Sequence, residues 1–257
     1  LGKTHLNAMR THLFTAVIIA GLTSQLFLGS YLYIGTPDVP EMKGLAIIHV
    51  ILTAIFSSFF GYLFSSILVK IIRWKKILKY TKQKAAWAIL MGLLFATLVF
   101  FTGNDSTGSG NTVMVNLLFN ENATTQWHTF PSRFFASIIT YVSGGAGGIF
   151  APSLSIGATL GDGIVNLFNI PEFKNLIIIT SMIAFMTGVT HAPFTSFILV
   201  LEMTNRHTSV FSMMLAALIA ISVAKILNKK SFYEQLVEDY LTSPLFTPKK
   251  EKNQLIK

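Results

Sequence analysis

Cysteine is absent from this sequence of 257 residues, and charged residues make up only 12% of it. Without cysteine the chain forms no disulfide bond and no cysteine-based metal site or nucleophile. A soluble domain carries about 25% charged residues, so the charges here are too few to cover a water-facing surface in the usual way. The scarcity of charge therefore argues against an ordinary soluble domain, and the 52% of hydrophobic residues indicates a membrane protein.

Charge is also missing locally, from four long apolar runs. Residues 13–34, 45–69, 86–101 and 209–224 contain no Asp, Glu, Lys or Arg. As a helix the first run would be about 33 Å long, which matches a hydrocarbon core of about 30 Å. Buried core helices of a soluble protein would explain one such run but not four. We therefore predict an integral membrane protein that crosses the bilayer several times.

The basic residues lie in the connections between these runs. Seven of them fall in one stretch without an acid: Lys70, Arg73, Lys75, Lys76, Lys79, Lys82 and Lys84. Short basic loops next to spans are retained on the cytoplasmic side. This pattern predicts that both termini are cytoplasmic and that the loop at residues 37–43 faces outward. Nucleic-acid binding would require the net charge of +9 on a folded soluble surface, which the sequence does not offer.

Other apolar segments are too short to cross a bilayer. Residues 113–119, 134–142, 176–189 and 194–201 are of this kind, and prolines or glycines interrupt the chain between them. Broken helices in membranes are tolerated where they line a protein-enclosed cavity, and in transporters their N-terminal ends point at anionic substrates. Re-entrant packing elements without a ligand are the alternative. We predict an all-α membrane protein with the following helices: 13–33, 44–76, 85–102, 113–119, 131–142, 150–168, 173–189, 193–203, 209–227 and 232–242.

The sequence GGIFAP at residues 147–152 is the candidate site. Two glycines before an apolar helix let backbone amides approach a ligand without an intervening side chain. The first N–H groups of that helix have no partner within it, and the helix dipole adds about half a positive charge at this end. Such an end attracts an anion without a full charge that would hold it too tightly to conduct. The pattern therefore predicts an anion site at the start of this helix.

The pentapeptide GIFAP resembles the GxFxP signature of the CLC family of chloride channels and chloride/proton exchangers. Other blocks resemble the same family, in family order and with family-like spacing over about residues 10–243: TGSGN at 107–111, HAPFT at 191–195, ILVLEMT at 198–204 and SFYEQL at 231–236. The resemblance implies a fold of tilted and broken helices that forms the second inverted repeat of a CLC-type pore. It also implies chloride as the transported ligand and no cofactor.

Carried over residue by residue, the resemblance implies a chloride site on six residues: Gly148, Ile149, Phe150, Ala151, Pro152 and Tyr233. The amides of Ile149 and Phe150 would bind a central chloride, and those of Phe150 and Ala151 would lie near an outer one. The hydroxyl of Tyr233 would donate to the central chloride and narrow the inner gate.

The resemblance also implies the organisation of the protein. Residues 1–243 would be the C-terminal half of the transmembrane domain and 244–257 a disordered, basic cytoplasmic tail. The family's GSGIP and GKEGP-type segments belong to the first half and are absent here. Whether the protein is a channel or a proton exchanger therefore stays open. A homodimer is expected, through helices near 13–33, 193–203 and 209–227, in a bacterial inner membrane.

A non-conducting membrane scaffold, a membrane-embedded enzyme and a different broken-helix secondary transporter are the alternatives. The sequence contains no HExxH, GxSxG or phosphate-loop motif, so no enzyme activity is expected. Glu202 lies in an apolar stretch and is expected to have a structural role, capping its short helix or pairing with a polar group near it. His49 and His191 are expected to be packing histidines whose ring nitrogens have partners.

Overall fold

A computed structural model describes residues 3–29, 32–78, 80–145 and 147–242 of the chain. The predicted tail at 244–257 lies outside them. All regular structure in the described residues is helical. Apart from three short 3₁₀ turns it consists of ten α-helices: α1, Lys3–Leu28; α2, Leu45–Lys75; α3, Thr81–Thr102; α4, Asn111–Phe119; α5, Thr129–Ser143; α6, Phe150–Phe168; α7, Lys174–Thr190; α8, Pro193–Thr204; α9, Val210–Leu227; and α10, Phe232–Leu241.

Every predicted helix is present, and most ends agree within two residues. Two helices differ by more: the first is predicted at 13–33 and found at Lys3–Leu28, and the third is predicted to begin at residue 85 and begins at Thr81. A charge-free sequence does not mark where such a helix stops. Gly29 follows with φ of 75°, a left-handed conformation that glycine adopts readily and that ends a helix. The described residues up to Tyr33 form one compact unit, and those from Ile34 onward form a second, which contains the candidate site.

Helix α7 is the centre of the second unit. Its residues 176–190 are all buried, although Thr180, Ser181 and Thr187 are polar. Helices α2, α6 and α9 pack around it. The Ser181 hydroxyl donates to the carbonyl oxygen of Gly157 on α6 at 2.6 Å and lies 2.8 Å from the Ser57 hydroxyl on α2. A helix that is apolar all round is expected at the centre of such a bundle, because every face meets another helix.

Glycines allow the helices to approach α7 closely. A Cβ at Gly157 of α6 would lie 2.7 Å from the Cα of Met182, and one at Gly161 would lie 2.8 Å from the Cα of Ile178. A Cβ at Gly188 of α7 would lie 2.5 Å from the Ser58 carbonyl oxygen of α2. In membrane proteins, small residues one turn apart commonly allow two helices to pack closely, because the backbones can then come into direct contact.

Gly157→Ala is expected to destabilise the chain by about 1–3 kcal/mol, because the new methyl group meets the backbone of α7, which cannot move aside. Gly163→Ala on the same helix is the matched control, since a Cβ there meets nothing within 4 Å. Thermal unfolding in detergent, followed by tryptophan fluorescence, measures both variants. Equal melting temperatures would contradict the close-packing explanation.

Large apolar surfaces remain exposed on other helices. In α3 only Met91 is buried, and Ile89, Leu93, Phe100 and Phe101 are all exposed. Within the described residues four helical segments are long and apolar enough to cross a membrane: Leu45–Lys75, Thr81–Thr102, Pro171–Thr190 and His207–Leu227. The exposed apolar faces are the surfaces that a bilayer or a further protein segment would cover. The prediction of an all-α architecture with apolar, membrane-length helices is confirmed.

Candidate anion site at the start of helix α6

The chain breaks where the glycine-rich sequence predicts it to break. Helix α5 ends at Ser143 and α6 begins at Phe150. Gly144 follows α5 with φ of 109°, a left-handed conformation that stops the helix. The helix start at Phe150 predicted from the sequence is therefore confirmed, and residues 143–168 are not one continuous helix.

The first turn of α6 has an unusual cap. Ile149 occupies the N-cap position, where Ser, Thr, Asp or Asn would normally accept a hydrogen bond from the helix. The Ser153 N–H bonds the Ile149 carbonyl oxygen at 3.0 Å, so the amides of Phe150 and Ala151, which precede it, have no acceptor within the helix. An apolar cap leaves these donors available for another acceptor. Pro152 has no N–H of its own, so it adds no further donor at this position.

The space in front of the helix is open. Gly147 and Gly148 are exposed, and a Cβ added at either residue would meet no atom within 4 Å. Neither glycine has a positive φ. Packing and backbone conformation therefore do not require glycine at these positions, whereas access to the backbone amides would. Gly147, Gly148 and Pro152 line a cavity of about 230 Å³ that also touches Tyr141 and Gly108.

Tyr233 lies beside the same helix start. Its ring stacks on that of Phe150 with centroids 6.3 Å apart and planes 26° from parallel. Both rings are partly exposed, Phe150 by 37% and Tyr233 by 39%. Partial burial, with a smaller contribution from Tyr141, raises the pKa of the Tyr233 phenol. The O–H of a phenol can donate a hydrogen bond. The structure brings together two residues that are 83 positions apart in the sequence.

Helix α10 is fixed at both ends, which holds Tyr233 in place. Ser231 caps its N-terminus by accepting from the Glu234 N–H, and the Glu234 carboxylate accepts from the Ser231 N–H at 2.7 Å. Phe232 is fully buried and packs edge-on against Tyr141 of α5 at 5.8 Å. At the far end, Asp239 accepts a hydrogen bond from Arg73 of α2 at 2.9 Å, which lowers the pKa of Asp239.

The sequence reasoning missed Arg133, a buried residue that positions the neighbouring loop. It is 2% exposed and donates to the carbonyl oxygens of Asp105 and Thr107 and, at 3.3 Å, to the hydroxyl of Ser155 on α6. It therefore joins the Gly-rich loop before α4 to the second turn of α6. Arg133 is the one charged residue within α5, and a lone charge in an apolar segment is the signal that would have identified it.

Lys75 is a second residue that the sequence reasoning did not single out. Its ammonium group donates to the carbonyl oxygens of Val142 and Ser143, at 2.9 and 3.1 Å. A cation at a helix C-terminus neutralises the negative end of the helix dipole. The contact fixes the end of α5 directly before the glycine segment. In sequence Lys75 is one of seven basic residues in its stretch, so nothing marked it out.

Glu202, His49 and His191 were expected to have structural partners, and the structure agrees with this only in part. Glu202 is exposed on α8, and the ion pairs of the described residues give it no cation partner. His49 packs against Phe173 at 5.6 Å as expected, but its Nδ1 is buried without a hydrogen-bond partner. His191 ends α7 in a left-handed conformation before Pro193 begins α8.

Comparison with known proteins gives the family. The model of the family described as voltage gated chloride channel matches residues 6–225. A 113-residue segment is 32% identical to the H(+)/Cl(−) exchange transporter ClcA of Vibrio cholerae, covering 42% of this chain and 24% of that protein. The corresponding exchanger of Vibrio vulnificus matches equally well, with 32% identity over 113 residues.

Two solved structures share the fold. A slow cyanobacterial Cl⁻/H⁺ antiporter superposes with a TM-score of 0.73 at 26% identity, over 88% of this chain and 54% of its own. A CLC-type fluoride/proton antiporter superposes with a TM-score of 0.64 at 15% identity, over 76% of this chain and 50% of its own.

The fold is thus that of a CLC-type membrane transport protein. The chain belongs to the voltage gated chloride channel family. It is an integral membrane protein, and it spans about half the length of the solved relatives it matches.

Proposed function

We propose that this chain forms the C-terminal half of a chloride pathway, with its anion site at the start of α6. The observation that carries the proposal is the helix start itself. The N-cap residue Ile149 has no side-chain acceptor for the first amides of the helix, and the two glycines before it leave the approach to these amides open. The ring centroid of Tyr233 lies 6.3 Å from that of Phe150. A packing element without a ligand would need neither the bare glycines nor the apolar cap.

The proposed chloride ligands are the backbone amides of Ile149, Phe150 and Ala151, with Gly148 and Pro152 shaping the approach, and the hydroxyl of Tyr233. Partial charges of the helix start attract the anion, and hydrogen bonds to it replace part of its water shell. Within the described residues, no lysine or arginine side chain is hydrogen-bonded to residues 148–151. An ion held by dipoles alone can leave again, which conduction requires.

We further propose that the complete pore couples chloride transport to protons. The Vibrio relatives are named as H(+)/Cl(−) exchange transporters and the cyanobacterial relative as a Cl⁻/H⁺ antiporter. These names favour proton-coupled exchange over a channel for the complete pore. The bacterial origin of these relatives also favours a bacterial plasma membrane, with the basic connection after α2 on the cytoplasmic side.

The complete protein is proposed to contain a further half, which completes the pore, and to form a homodimer. The chain covers 54% of the cyanobacterial antiporter, so a comparable length of protein would complete the pathway. Exposed apolar side chains on α8 and α9 support a dimer surface there: Phe194, Ile198, Phe211 and Leu218. The predicted dimer helices near 193–203 and 209–227 correspond to α8 and α9, and the third, near 13–33, overlaps α1.

Tyr233→Phe is expected to weaken chloride binding to the complete pore by about tenfold to a hundredfold. The substitution keeps the ring stacked on Phe150 and removes only the hydroxyl, whose hydrogen bond to a charged group is worth about 1.5–3 kcal/mol. Isothermal titration of chloride measures the change. Tyr233→Ala also removes the ring, so chloride should leak and its coupling to protons should fall in liposome flux assays.

Tyr240→Phe is the matched control, because it removes a hydroxyl from the same helix, α10. It should bind chloride as the unaltered protein does. If Tyr233→Phe also binds chloride normally and Tyr233→Ala lowers only the yield of protein, then Tyr233 is an interfacial anchor and lies outside the anion site.

A further inference from the structure

An apolar groove lies away from the anion site, between α2, α3 and α5. Its volume is about 650 Å³, and its lining includes Ile67, Met91 and Ile138. Lys70 is the one charged residue among the side chains that line it. The groove is therefore apolar, with one basic side chain in its lining.

Two tryptophans mark one end of this groove. Trp74 near the end of α2 and Trp87 near the start of α3 lie with their ring centroids 5.2 Å apart. The Trp87 indole N–H donates to the Val142 carbonyl oxygen at 3.0 Å, and Trp74 is half exposed. Tryptophan is enriched where a membrane protein meets the headgroup layer, because its ring is apolar and its N–H is polar. This end of the groove therefore lies at the membrane surface.

Basic residues stand at the same end. On α3, Lys84 comes three residues before Trp87, so it continues the helix stripe that lines the groove through Met91 and Leu94. On α2, Lys70 lies one turn before Trp74 and is exposed. Long lysine side chains near helix ends extend their charge to the headgroup layer while their methylenes stay in apolar surroundings.

These two lysines have no acidic partner within the described residues. The acids near this end have other partners: Asp239 pairs with Arg73 at 2.9 Å and Lys76 at 3.4 Å, and Glu238 pairs with Lys230 at 2.5 Å. Lys75 instead holds the carbonyl oxygens of Val142 and Ser143. The ion pairs of the described chain leave the charges of Lys70 and Lys84 uncompensated. No acid lies between residues 70 and 84 either.

We propose that this groove binds an anionic phospholipid of the cytoplasmic leaflet. One acyl chain would lie in the groove, and the phosphate would lie between Lys70 and Lys84, at the level of the two tryptophans. A protein segment covering the groove would have to supply acids for these lysines, whereas an anionic headgroup supplies the charge directly. Each lysine near a membrane surface contributes attraction to anionic lipid, and burial of acyl methylenes adds to it. The proposal does not depend on which ion the protein transports.

Tryptophan quenching by brominated lipids tests this site. The chain has three tryptophans, and Trp127 is 88% exposed in the loop before α5, so Trp127→Phe leaves only the two groove tryptophans as reporters. The full chain with this change is placed in nanodiscs of phosphatidylcholine that contain increasing fractions of phosphatidylglycerol brominated on its acyl chains. A parallel series uses brominated phosphatidylcholine.

Half-maximal quenching is expected at a mole fraction of brominated phosphatidylglycerol about tenfold lower than that of brominated phosphatidylcholine. The double variant Lys70→Gln with Lys84→Gln should lose this preference, as should raising the salt concentration, because the attraction is electrostatic. The charge-matched control, Lys225→Gln with Lys229→Gln at the end of α9, should keep it.

Three results would overturn the proposal. Equal half-maximal fractions for the two brominated lipids would make the groove an ordinary contact with bulk lipid. Absence of quenching by either lipid would show that protein from a second copy of the chain covers the groove. A preference for phosphatidylglycerol that survives in the Lys70 and Lys84 double variant would place the anionic lipid elsewhere.

Discussion

Chloride flux through the complete pore is expected to fall at least about tenfold when Gly148 is replaced by leucine, while the protein keeps its fold. The structure offers no steric objection to the new side chain. A Cβ at Gly148 meets nothing within 4 Å, and the backbone there does not have a positive φ. The leucine would instead stand in the open space in front of α6. There it would cover amides that we propose as chloride ligands.

The expected size follows from the interaction that is lost. One hydrogen bond to a charged group is worth about 1.5–3 kcal/mol, which is at least about tenfold in binding. A leucine that also fills the path would reduce flux further. Radioactive chloride uptake into liposomes gives the flux, and thermal unfolding in detergent verifies the fold.

Gly163→Leu is the matched control for this prediction. Gly163 lies on the same helix, and a Cβ there also meets nothing within 4 Å, but the residue is three turns or more from the helix start. Its leucine variant should transport chloride as the unaltered protein does. If Gly148→Leu transports equally well, the anion does not approach the amides of this helix start.

Liposomes that contain only residues 1–257 are expected to show chloride flux no higher than empty liposomes. The proposed ligands of this chain surround the anion from one side, because Phe150 and Tyr233 are both exposed where further protein would complete the site. The almost uncovered helix α3 likewise presents apolar surface that a missing half or lipid would cover.

Flux should appear when the chain is produced together with the half that we propose to complete the pore. The Gly148→Leu form, produced in the same way, is the control that separates pore-mediated flux from leak at badly packed protein. Rapid chloride flux from residues 1–257 alone, sensitive to Gly148→Leu, would contradict our proposal that a second half is needed.

The sequence alone was sufficient to predict an integral membrane protein, the presence of each helix and the break before α6. Charge-free runs of membrane length and acid-free basic connections have a direct physical cause, the cost of placing charge in hydrocarbon. The glycines at 147 and 148 likewise predict the interruption before Phe150 through local backbone chemistry. The end of α1 at Leu28 was missed, since Gly29 lies in an apolar run and tertiary context decides which glycine stops a helix.

Contacts between distant segments were decided only by the tertiary structure. From the residues alone Tyr233 was an aromatic after the last span, and only the family resemblance placed it near chloride; the structure stacks it on Phe150. The role of Arg133 depends on carbonyl oxygens of a loop that precedes it by more than twenty residues. Such contacts depend on which helix faces meet, and a pattern of hydrophobicity does not specify this when helices are apolar all round.

The sequence by itself therefore determined that this is a membrane protein of broken helices, with a glycine-preceded helix start that we propose as the anion site, because the breaks follow from local composition and backbone geometry. Only the tertiary structure decided which side chains surround that helix start and which grooves remain open. The approach of α6 to α7 across Gly157 and Gly161 fixes the orientation of the helix, and this orientation depends on backbone contacts that sequence alone does not reveal.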